Sequence, residues 1–433
     1  MLPITVQLQC PLFDSFRVRQ VAGMFDLQVD QPTLGEEIRA EVPSPDEPWS
    51  IGVIVGPSGS GKTSLARAAF GPAVYAPQPW PADRAVIDCL GELPIKQLTR
   101  TLTAVGLSAP RTWLKPYAVL SNGERFRCEL ARALLTKGDA GRKCDGERGR
   151  RGDGEKERTP ENVPTTALVP PSPHPPIPPS PLRPVPPSPP TTVVFDEFTS
   201  VVDRTVARIA SAAVSKAIRS GTVNVRFVAV TCHYDVVRWL GPDWVLDMSG
   251  PSLSRGRVRC PPIALEITRC DRSIWSLFER HHYLTGSLHR GAACFLARFE
   301  DRPAAFAAVL PFPHPRRPGW REHRLVCLPD FQGVGIGSAL SDFVASCYVA
   351  TGKPYFSTTS HPAMIHHRAK SPLWKMHRAP APVSRHARSS RDTTCMADSN
   401  SRGRVTAGFE YVGPPRLRDA WRLGVARAVV KSG

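Results

Sequence analysis

A glycine-rich turn between an apolar run and a helix-forming segment constrains this chain more than any other stretch. The run VIV at 53–55 enters the string GPSGSGKT at 56–63, and the residues after it favour a helix. Glycines followed by lysine and threonine at this spacing, between a strand and a helix, are typical of a loop that cradles phosphates. We expect Lys62 to reach the β- and γ-phosphates and the Thr63 hydroxyl to bind Mg²⁺. The residues predicted to contact phosphate are Gly56, Ser58, Gly59, Gly61, Lys62, Thr63 and Ser64.

The charge of the chain is unevenly distributed. The 433 residues are enough for two or three domains, and the net charge is +18. Residues 250–433 contain 28 of the 56 Lys and Arg residues but 12 of the 38 Asp and Glu residues, so the preceding part is close to neutral. This excess of positive charge indicates a polyanionic partner, either nucleic acid or the phosphates of a cofactor. A basic surface without such a partner is the alternative.

Cysteine content and hydropathy indicate a cytoplasmic protein without a membrane partner. No apolar run reaches the length of a membrane span, and residues 1–7 lack the basic start and long apolar core of a signal peptide. The eleven cysteines are odd in number and include no C-x-x-C pair, as expected of reduced thiols rather than of a disulfide framework.

The segment before the glycine loop is interpreted as a set of short strands. They are placed at 5–9, 16–21 and 38–42, with proline and glycine between them. Phe16 or Phe25 is a candidate to stack on an adenine ring. Packing in the core is the more common role of such an aromatic residue.

Two polar segments follow the glycine loop. Gln78 stands between prolines at the end of a strand-like piece, where a glutamine can ligate Mg²⁺ or orient a water molecule. Residues 85–119 have helical periodicity, and Ser121 then precedes Glu124 by three residues, the spacing of a capping box, ahead of an amphipathic helix at 125–135. Because the start of a helix also favours anions, capping and anion binding are compatible here.

Two carboxylates end the next strand-like run. The string TTVVFDE at 191–197 places Asp196 and Glu197 directly after apolar residues. Phosphoryl transfer with Mg²⁺ needs such a pair, with Asp196 orienting the waters of the metal and Glu197 polarising the attacking water. A further strand at 226–231 precedes His233, which is a candidate to sense the γ-phosphate.

Residues 137–190 interrupt this pattern. The first part is rich in glycine and charged residues, and 15 of the 31 residues at 160–190 are proline. Neither part can bury enough apolar surface to offset the entropy of ordering, so we predict a disordered, partly polyproline II insertion. A spacer without a partner is the favoured interpretation, and a docking segment for a proline-binding module is the alternative.

In this order the motifs resemble those of ABC-type ATPases, over about residues 15–248. The matching segments are 56–63 for Walker A, Gln78 for the Q-loop, 120–124 for the signature sequence, 193–197 for Walker B, 200–203 for the D-loop and His233 for the switch histidine. The resemblance implies ATP and Mg²⁺ as ligands, with Thr63, Gln78 and Asp196 at the metal. It also implies a head-to-tail homodimer, in which Ser121 and Gly123 of one copy cap the γ-phosphate held by Lys62 of the other.

The sequence departs from that family in four respects. Asn122 replaces the usual glycine, Glu124 replaces the usual glutamine, and 16 positions separate Lys62 from Gln78, fewer than in most transport cassettes. The helical arm before Ser121, where transporter cassettes hold membrane partners, is also short. We therefore expect a soluble ABC ATPase, closer in style to those of DNA repair and chromosome maintenance, and rank a transporter energy subunit last.

A second segment with strand, glycine turn and helix lies at 323–350. The string QGVGIG at 332–337 follows an apolar run, and a helix is predicted at 338–350. Its G-x-G-x-G spacing, without an acidic residue at a second strand end about twenty positions later, disfavours a dinucleotide site. It resembles the GNAT acyl-CoA N-acetyltransferases, over about residues 263–413. The resemblance implies acetyl-CoA as cofactor, its pyrophosphate held by Gln332, Gly333, Gly335 and Gly337.

A GNAT domain needs a base for the attacking amine and a hydroxyl that protonates the departing thiolate. By position, Glu322 and His323 are the candidates for the base, and Tyr348, Tyr355 and Ser357 are the candidates for the acid. Packing or structural hydrogen bonding is the alternative for each of them.

The remaining predictions concern the surroundings of that site. A hairpin is expected from strands at 292–299 and 304–310, and a final strand at 404–412. Histidines and basic residues at 361–370 indicate a wall that accepts an anionic substrate. Zinc is disfavoured there, because no cysteine or acid completes a ligand set. Residues 378–403 are interpreted as a mobile loop, and 417–430 as a basic amphipathic helix.

The predicted architecture is α/β, with an ABC-class P-loop ATPase domain followed by a GNAT-like α+β acetyltransferase domain. The expected parts are the ATPase domain at 1–136 and 191–250, the insertion at 137–190, the acetyltransferase domain at 251–413 and a basic tail at 414–433. One hypothesis is an ATPase whose dimer closure positions an acetyl-CoA-dependent N-acetyltransferase on nucleic acid or an associated component. The other is an ATP-driven nucleic-acid clamp with a non-catalytic GNAT domain.

Overall fold

The computed structural model describes residues 1–9, 13–26, 34–138, 190–282, 287–382 and 405–426. The predicted insertion at 137–190 and the predicted mobile loop at 378–403 lie largely outside these residues. We call the described residues up to Arg255 the first half and those from Glu266 onward the second half. In the described part of the chain, no helix is both long and apolar enough to cross a membrane.

The described strands form three sheets. An antiparallel pair consists of β1 (Leu2–Gln9) and β2 (Leu34–Val42). A five-stranded sheet has the order β4 (Thr191–Phe195), β5 (Val225–Thr231), β3 (Ile51–Val55), β6 (Trp244–Asp247) and β7 (Ser252–Arg255). A seven-stranded sheet has the order β13 (Trp374–Pro382), β14 (Val405–Tyr411), β12 (Tyr355–Thr359), β11 (Gly319–Cys327), β10 (Arg302–Phe312), β9 (Ala293–Phe299) and β8 (Glu266–Cys270).

Several of the helices pack against strands of the two larger sheets. The described α-helices are α1 (Phe16–Phe25), α2 (Lys62–Phe70), α3 (Ile95–Ala104), α4 (Pro110–Trp113), α5 (Asn122–Gly138), α6 (Arg204–Arg219), α7 (Asp235–Leu240), α8 (Ile336–Val349), α9 (Pro362–Lys370) and α10 (Leu417–Arg422). Short 3₁₀ helices occupy Gly71–Ala73, Val86–Cys89, Tyr117–Val119, Arg272–Leu277, Glu279–His281 and Pro329–Phe331. The segment predicted as a helix at 417–430 is thus helical at its start, and 427–430 lie outside the described residues.

The five-stranded sheet is buried on both faces. β4, β5, β3 and β6 run parallel, and β7 adds an antiparallel edge. Val53 and Val55 pack in the core that also contains α5, whereas Ile54 packs on the other face with Leu65 of α2. Burial on both faces explains why the central strand β3 is a continuous apolar run without polar alternation.

The prediction of a strand at 16–21 is wrong, because these residues belong to α1. The Ser15 Oγ atom caps this helix by accepting a hydrogen bond from the Val18 N–H at 3.3 Å. A capping side chain satisfies an N–H that has no partner within the helix, which favours helix over strand. Phe16 and Phe25, the candidates for adenine stacking, are 81% and 68% exposed on this helix.

The predicted hairpin is confirmed in the seven-stranded sheet. β9 and β10 pair antiparallel from Phe299↔Arg302 onward. The two turn residues, Glu300 and Asp301, have φ of +47° and +64°. Positive φ at both central residues is the geometry of a type I′ turn, which matches the twist of the flanking strands.

α6 packs against both halves of the chain. Ala210 and Val214 belong to the apolar core of the five-stranded sheet, whereas Ile209 belongs to that of the seven-stranded sheet. Ile209, Ala213 and Lys216 are spaced i, i+4 and i+7, so they lie on one face of the helix. This face is directed toward the second half.

Candidate functional site

The carboxyl ends of three adjacent parallel strands lie along one edge of the five-stranded sheet. β3 leads into the glycine loop, β4 into Asp196, and β5 toward His233. The His233 N–H donates to Thr231 Oγ1 at 3.1 Å, and the side chain is half-buried. In parallel sheets ligands bind beyond the carboxyl ends of the strands, and the glycine loop, Asp196 and the segment of His233 follow these ends.

The first glycine loop has the backbone geometry of a phosphate cradle. Gly59 and Gly61 have φ of +82° and +76°, which residues with a Cβ rarely adopt. A Cβ atom added to Gly56 would lie 2.7 Å from the Cβ atom of the methionine that follows β6, so only glycine fits there. Lys62 begins α2, is buried, and donates from Nζ to the carbonyl oxygen of Pro57 at 2.6 Å. Its ammonium group therefore folds back over the loop.

The predicted metal ligands are oxygen donors. The Thr63 hydroxyl lies in the first turn of α2 beside Ser64, both half-buried, while Ser58 is exposed on the loop. Asp196 supplies a carboxylate and Gln78 an amide oxygen. Mg²⁺ prefers such hard oxygen ligands, so the donor set fits this ion.

Asp196 and Glu197 form a tight turn after β4. Asp196 Oδ1 accepts a hydrogen bond from the Glu197 N–H at 2.9 Å, and Glu197 Oε2 accepts one from Ser200 Oγ at 2.6 Å. Glu197 has φ of +53°, an uncommon conformation for a residue other than glycine. Strained backbone of this kind is often retained at functional sites. Ser200 thus fixes the carboxylate that was predicted to polarise water.

A polar network connects the segment of Gln78 to α5. Tyr75 donates from its hydroxyl to Glu129 Oε2 at 2.5 Å, and Arg132 Nε donates to the Tyr75 hydroxyl at 2.9 Å. Arg132 also donates to the Gln78 carbonyl oxygen, and its guanidinium lies 4.0 Å from the centre of the Trp80 ring. The Gln78 side chain itself is exposed. Movement of α5 is therefore expected to move Gln78.

The start of α5 is the capping box that the spacing predicted. Ser121 Oγ accepts from the Glu124 N–H at 3.3 Å, and Glu124 Oε2 accepts from the Ser121 N–H at 3.0 Å. Glu124, which departs from the family pattern, is thus used as a cap. A Cβ on Gly123 would lie 3.6 Å from Asp330 Oδ1, so this segment borders the second half.

The second half contains a cavity where two parallel strands separate. β11 pairs with β12 at Trp320↔Tyr355 and Arg321↔Phe356, although both strands continue beyond these pairs. A cavity of about 310 Å³ lies beside the second glycine loop, and its wall includes β11 from Glu322 onward. The first half contributes Thr103, Ser108, Ala109, Pro110 and Lys216 to the lining.

The second glycine loop has the backbone conformation predicted for an anion site. Gly333 and Gly335 have φ of +94° and +103°, and Gly337 lies in the first turn of α8. The Gln332 side chain is buried and faces the first half. Its Oε1 accepts from the Ser108 N–H and Oγ at 2.9 and 2.7 Å, and its Nε2 donates to the Cys327 carbonyl oxygen at 2.8 Å. Gln332 therefore shapes the loop through its side chain.

Glu322 lies in a buried ion pair. Both of its carboxylate oxygens lie 3.0 Å from Nη2 of Arg368, which is completely buried. Ser341 and Ser357 donate their hydroxyl groups to Glu322 at 2.6 and 2.8 Å. The carboxylate predicted as a base is therefore held by three side chains at the cavity wall.

The other candidates for base and acid differ in their access to the cavity. His323 lines it, and burial together with the neighbouring arginines lowers the pKa of His323 to about 3. The Nε2 atom of His323 accepts a hydrogen bond from the backbone N–H of His289 at 3.3 Å. Tyr355 is completely buried and is not part of the cavity lining, and burial raises its pKa well above 10. Tyr348 packs beneath the sheet against Trp320.

Sequence reasoning missed the residues that join the two halves. Arg127 of α5, completely buried, donates from Nη2 to the Asp330 carbonyl oxygen at 3.1 Å. Ser108 binds Gln332, and Lys216 Nζ donates to the Val334 carbonyl oxygen at 3.0 Å. No local motif marks any of these three donors. Arg368 was seen as part of a basic run, but its pairing with a strand carboxylate was not predicted.

A metal cluster is not found in the described part of the chain. No three His, Cys, Asp or Glu side chains among the described residues converge in a way that could hold an ion. Of the predicted magnesium ligands Thr63, Gln78 and Asp196, only Asp196 belongs to these four residue types. This finding therefore does not test the magnesium hypothesis.

The model of the acetyltransferase (GNAT) family matches residues 262–355 of the chain. This match confirms the prediction of a GNAT domain in the second half and includes the second glycine loop and β11. No curated protein matches the chain.

Solved structures with similarity to the chain include ABC cassettes and N-acetyltransferases, the two classes that the motifs resemble. A bacterial Atm1-family ABC exporter with ATP bound is 13% identical with a TM-score of 0.30, covering 51% of this chain and 35% of that one. A dimeric bacterial ABC transporter cassette is 12% identical with a TM-score of 0.32, covering 53% of this chain and 93% of the cassette. The ribosomal-protein-S18-alanine N-acetyltransferase from Escherichia coli is 14% identical with a TM-score of 0.25, covering 34% and 93%. The chain thus spans about a third of the length of the exporter.

Proposed function

We propose that the first half binds and hydrolyses ATP and that the second half transfers an acetyl group from acetyl-CoA to an amine, with the two activities coupled. One observation carries this proposal. The cavity beside the second glycine loop is lined by residues of both halves, Ser108 and Lys216 among them. A ligand in that cavity would therefore contact the nucleotide-binding half directly.

In the ATPase half each residue has a defined task. Lys62 and the N–H groups of the loop at 56–61 would bind the phosphates, while Thr63, Gln78 and Asp196 would hold Mg²⁺. Bound Mg²⁺ would neutralise charge that develops on the phosphates. Glu197, positioned by Ser200, polarises the attacking water. His233 senses the γ-phosphate from the adjacent strand end.

In the acetyltransferase half the amine nitrogen attacks the thioester carbonyl carbon, a C–N bond forms and the C–S bond breaks. The base receives the proton of the amine, and an acid protonates the departing thiolate. Glu322 and His323 both line the cavity and are the proposed bases. The loop at 332–337 holds the pyrophosphate with its N–H groups at the start of α8.

We infer a head-to-tail homodimer for the ATPase reaction. Ser121 and Gly123 stand at the N-terminus of α5, where the helix dipole favours an anion. In the dimer they would cap the γ-phosphate bound by Lys62 of the partner. Residues 250–433 contain 28 basic but only 12 acidic side chains. This positive charge supports an acetyl acceptor that is nucleic acid or is bound to it.

Release of free CoA thiol tests the coupled activity. Full-length protein is assayed with acetyl-CoA in the presence and absence of ATP, Mg²⁺ and nucleic acid. Turnover that requires both ATP and nucleic acid is the expected result. Acetylation of a small amine at the same rate without ATP would reject the coupling.

A non-catalytic GNAT domain in an ATP-driven nucleic-acid clamp is the second candidate. It is favoured by the state of Glu322, whose carboxylate is already paired with Arg368 and with two serine hydroxyls. In that case acetyl-CoA would bind without turnover, or would not bind at all. Calorimetric titration with acetyl-CoA, alongside the thiol assay, separates the candidates.

A further inference from the structure

We propose that Lys216 of the first half is a phosphate-binding residue of the acyl-CoA site. This inference rests on the proposed acetyl-CoA binding and extends it, because it assigns part of the cofactor site to the ATPase half. On this proposal the GNAT domain alone does not contain a complete site for the pyrophosphate.

The ammonium group of Lys216 lies beside the second glycine loop, next to Val334 and Gly335. Its Nζ donates to the Val334 carbonyl oxygen at 3.0 Å and would lie 3.1 Å from a Cβ on Gly335. Lys216 and the loop line the same cavity of about 310 Å³. A phosphate bound by the loop would therefore meet this cation.

The surroundings leave the positive charge of Lys216 without a counter-charge. Among the described residues no carboxylate lies within ion-pair distance of Lys216, whose side chain is exposed at the cavity, and partial desolvation by its neighbours lowers its pKa. Gly335 precedes α8 and offers no side-chain cap, and among the N–H groups of the first turn that of Gly337 is directed at the Cys327 sulfur. A lysine without a carboxylate partner beside the N-terminus of α8, in a shared cavity, favours an anionic ligand.

Packing fixes the position of Lys216 relative to the loop. Ile209 and Ala213 lie on the same face of α6, the first buried in the core of the second half and the second against Gly333. Gly333 also approaches Gly106 so closely that a Cβ would lie 2.8 Å from its Cα. The loop and α6 are thus held together by backbone contact and apolar packing.

Binding of CoA, dephospho-CoA and pantetheine to full-length protein tests this assignment by calorimetry. Dephospho-CoA keeps the pyrophosphate, whereas pantetheine has no phosphate. For Lys216→Met we expect binding of CoA and of dephospho-CoA to weaken about tenfold, with pantetheine unaffected. The salt dependence of CoA binding should also decrease, and Lys216→Arg should restore most of the affinity.

Arg208→Met is the matched control. Arg208 lies on the same helix and binds Glu300 of the second half, but it does not line the cavity. We expect this variant to bind CoA like the unmodified protein. Thermal unfolding of all variants excludes loss of folding as the cause.

Two results separate failure of this inference from failure of the proposed function. Suppose that the unmodified protein binds CoA. If Lys216→Met then binds CoA equally well, or if its affinity for pantetheine falls as much as its affinity for CoA, the assignment of Lys216 is wrong and acetyl-CoA binding stands. If the unmodified protein binds none of the three, the proposed function fails and this inference with it.

Discussion

Arg127 of α5 donates from Nη2 to the carbonyl oxygen of Asp330 at 3.1 Å, although 203 positions separate the two residues in the sequence. α5 begins at the segment that resembles the ABC signature, and Asp330 shortly precedes the second glycine loop. A side chain of the first half therefore contacts the segment that leads to the second glycine loop. Because the contact is buried, motion of α5 is expected to reach that loop.

Arg127→Met is expected to uncouple the halves without unfolding them. Burial lowers the pKa of Arg127, and its Nε and Nη1 have no hydrogen-bond partner within the described residues. Arg127 Nη1 lies 3.9 Å from Asp330 Oδ1, and the Asp330 side chain is 41% exposed, so its carboxylate stays solvated when Arg127 is replaced. No unpaired buried charge is left behind, so the free energy of unfolding should change by less than about 1 kcal/mol. The effect of ATP on acetyl-CoA affinity should be lost, as measured by calorimetry. Arg100→Met on the surface of α3 is the control, and a loss of about 3 kcal/mol or more in urea unfolding would contradict this view.

Lys62→Ala is expected to abolish ATP binding and hydrolysis. The ammonium group stands inside the first glycine loop, and its removal takes away the cation that meets the phosphates. We expect phosphate release to fall by about 10²-fold or more. Lys96→Ala, an exposed lysine on α3, should retain full activity. Equal rates in both variants would exclude the 56–63 loop as the phosphate site.

Glu197→Gln should slow hydrolysis while leaving ATP binding intact. The amide cannot polarise water as the carboxylate does, although it can still accept the hydrogen bond from Ser200. We expect hydrolysis to fall by about 10²-fold and an ATP-bound dimer to accumulate. Multi-angle light scattering then gives twice the 47.4 kDa of one chain. A monomer under these conditions, with ATP bound, would argue against a shared site, and Glu92→Gln serves as control.

Acid should destabilise the second half through His323. Its pKa is lowered to about 3 in the folded chain, against 6.5 for an ordinary histidine, so the unfolded state binds the extra proton first. The contribution of His323 is present above pH 6.5 and is lost as the pH falls from there toward 3. Urea unfolding at pH 7.5 and at pH 5 measures how much unfolding free energy is lost on acidification. This loss should be about 1 kcal/mol smaller for His323→Gln than for the unmodified chain, a value reduced for the partial exposure of the histidine. His314→Gln, an exposed histidine after β10, should lose as much as the unmodified chain.

The two glycine loops could be predicted because each depends on residues within a dozen positions. The turns at 56–61 and 332–337 carry their own signal, glycines that adopt positive φ before a helix. The position of Asp196 and Glu197 at the end of β4 could be predicted for the same reason, since an apolar strand that ends in carboxylates is a local pattern.

The contacts between the halves could not be predicted in this way. Ser108 and Gln332 are 224 positions apart, and Lys216 and Val334 are 118 apart. Serine and lysine are common on helix surfaces, and nothing local distinguishes these two. The strand predicted at 16–21 is wrong for a different, local reason, because the adjacent Ser15 side chain caps a helix that begins at Phe16.

Calorimetric titration of acetyl-CoA into Glu197→Gln protein, with and without ATP and Mg²⁺, tests the central claim most directly. If the two sites are linked, ATP should change the acetyl-CoA affinity about 5-fold or more, and acetyl-CoA should change the ATP affinity by the same factor. Identical acetyl-CoA affinities in the two titrations, with ATP bound in one of them, would contradict the coupling of the two halves.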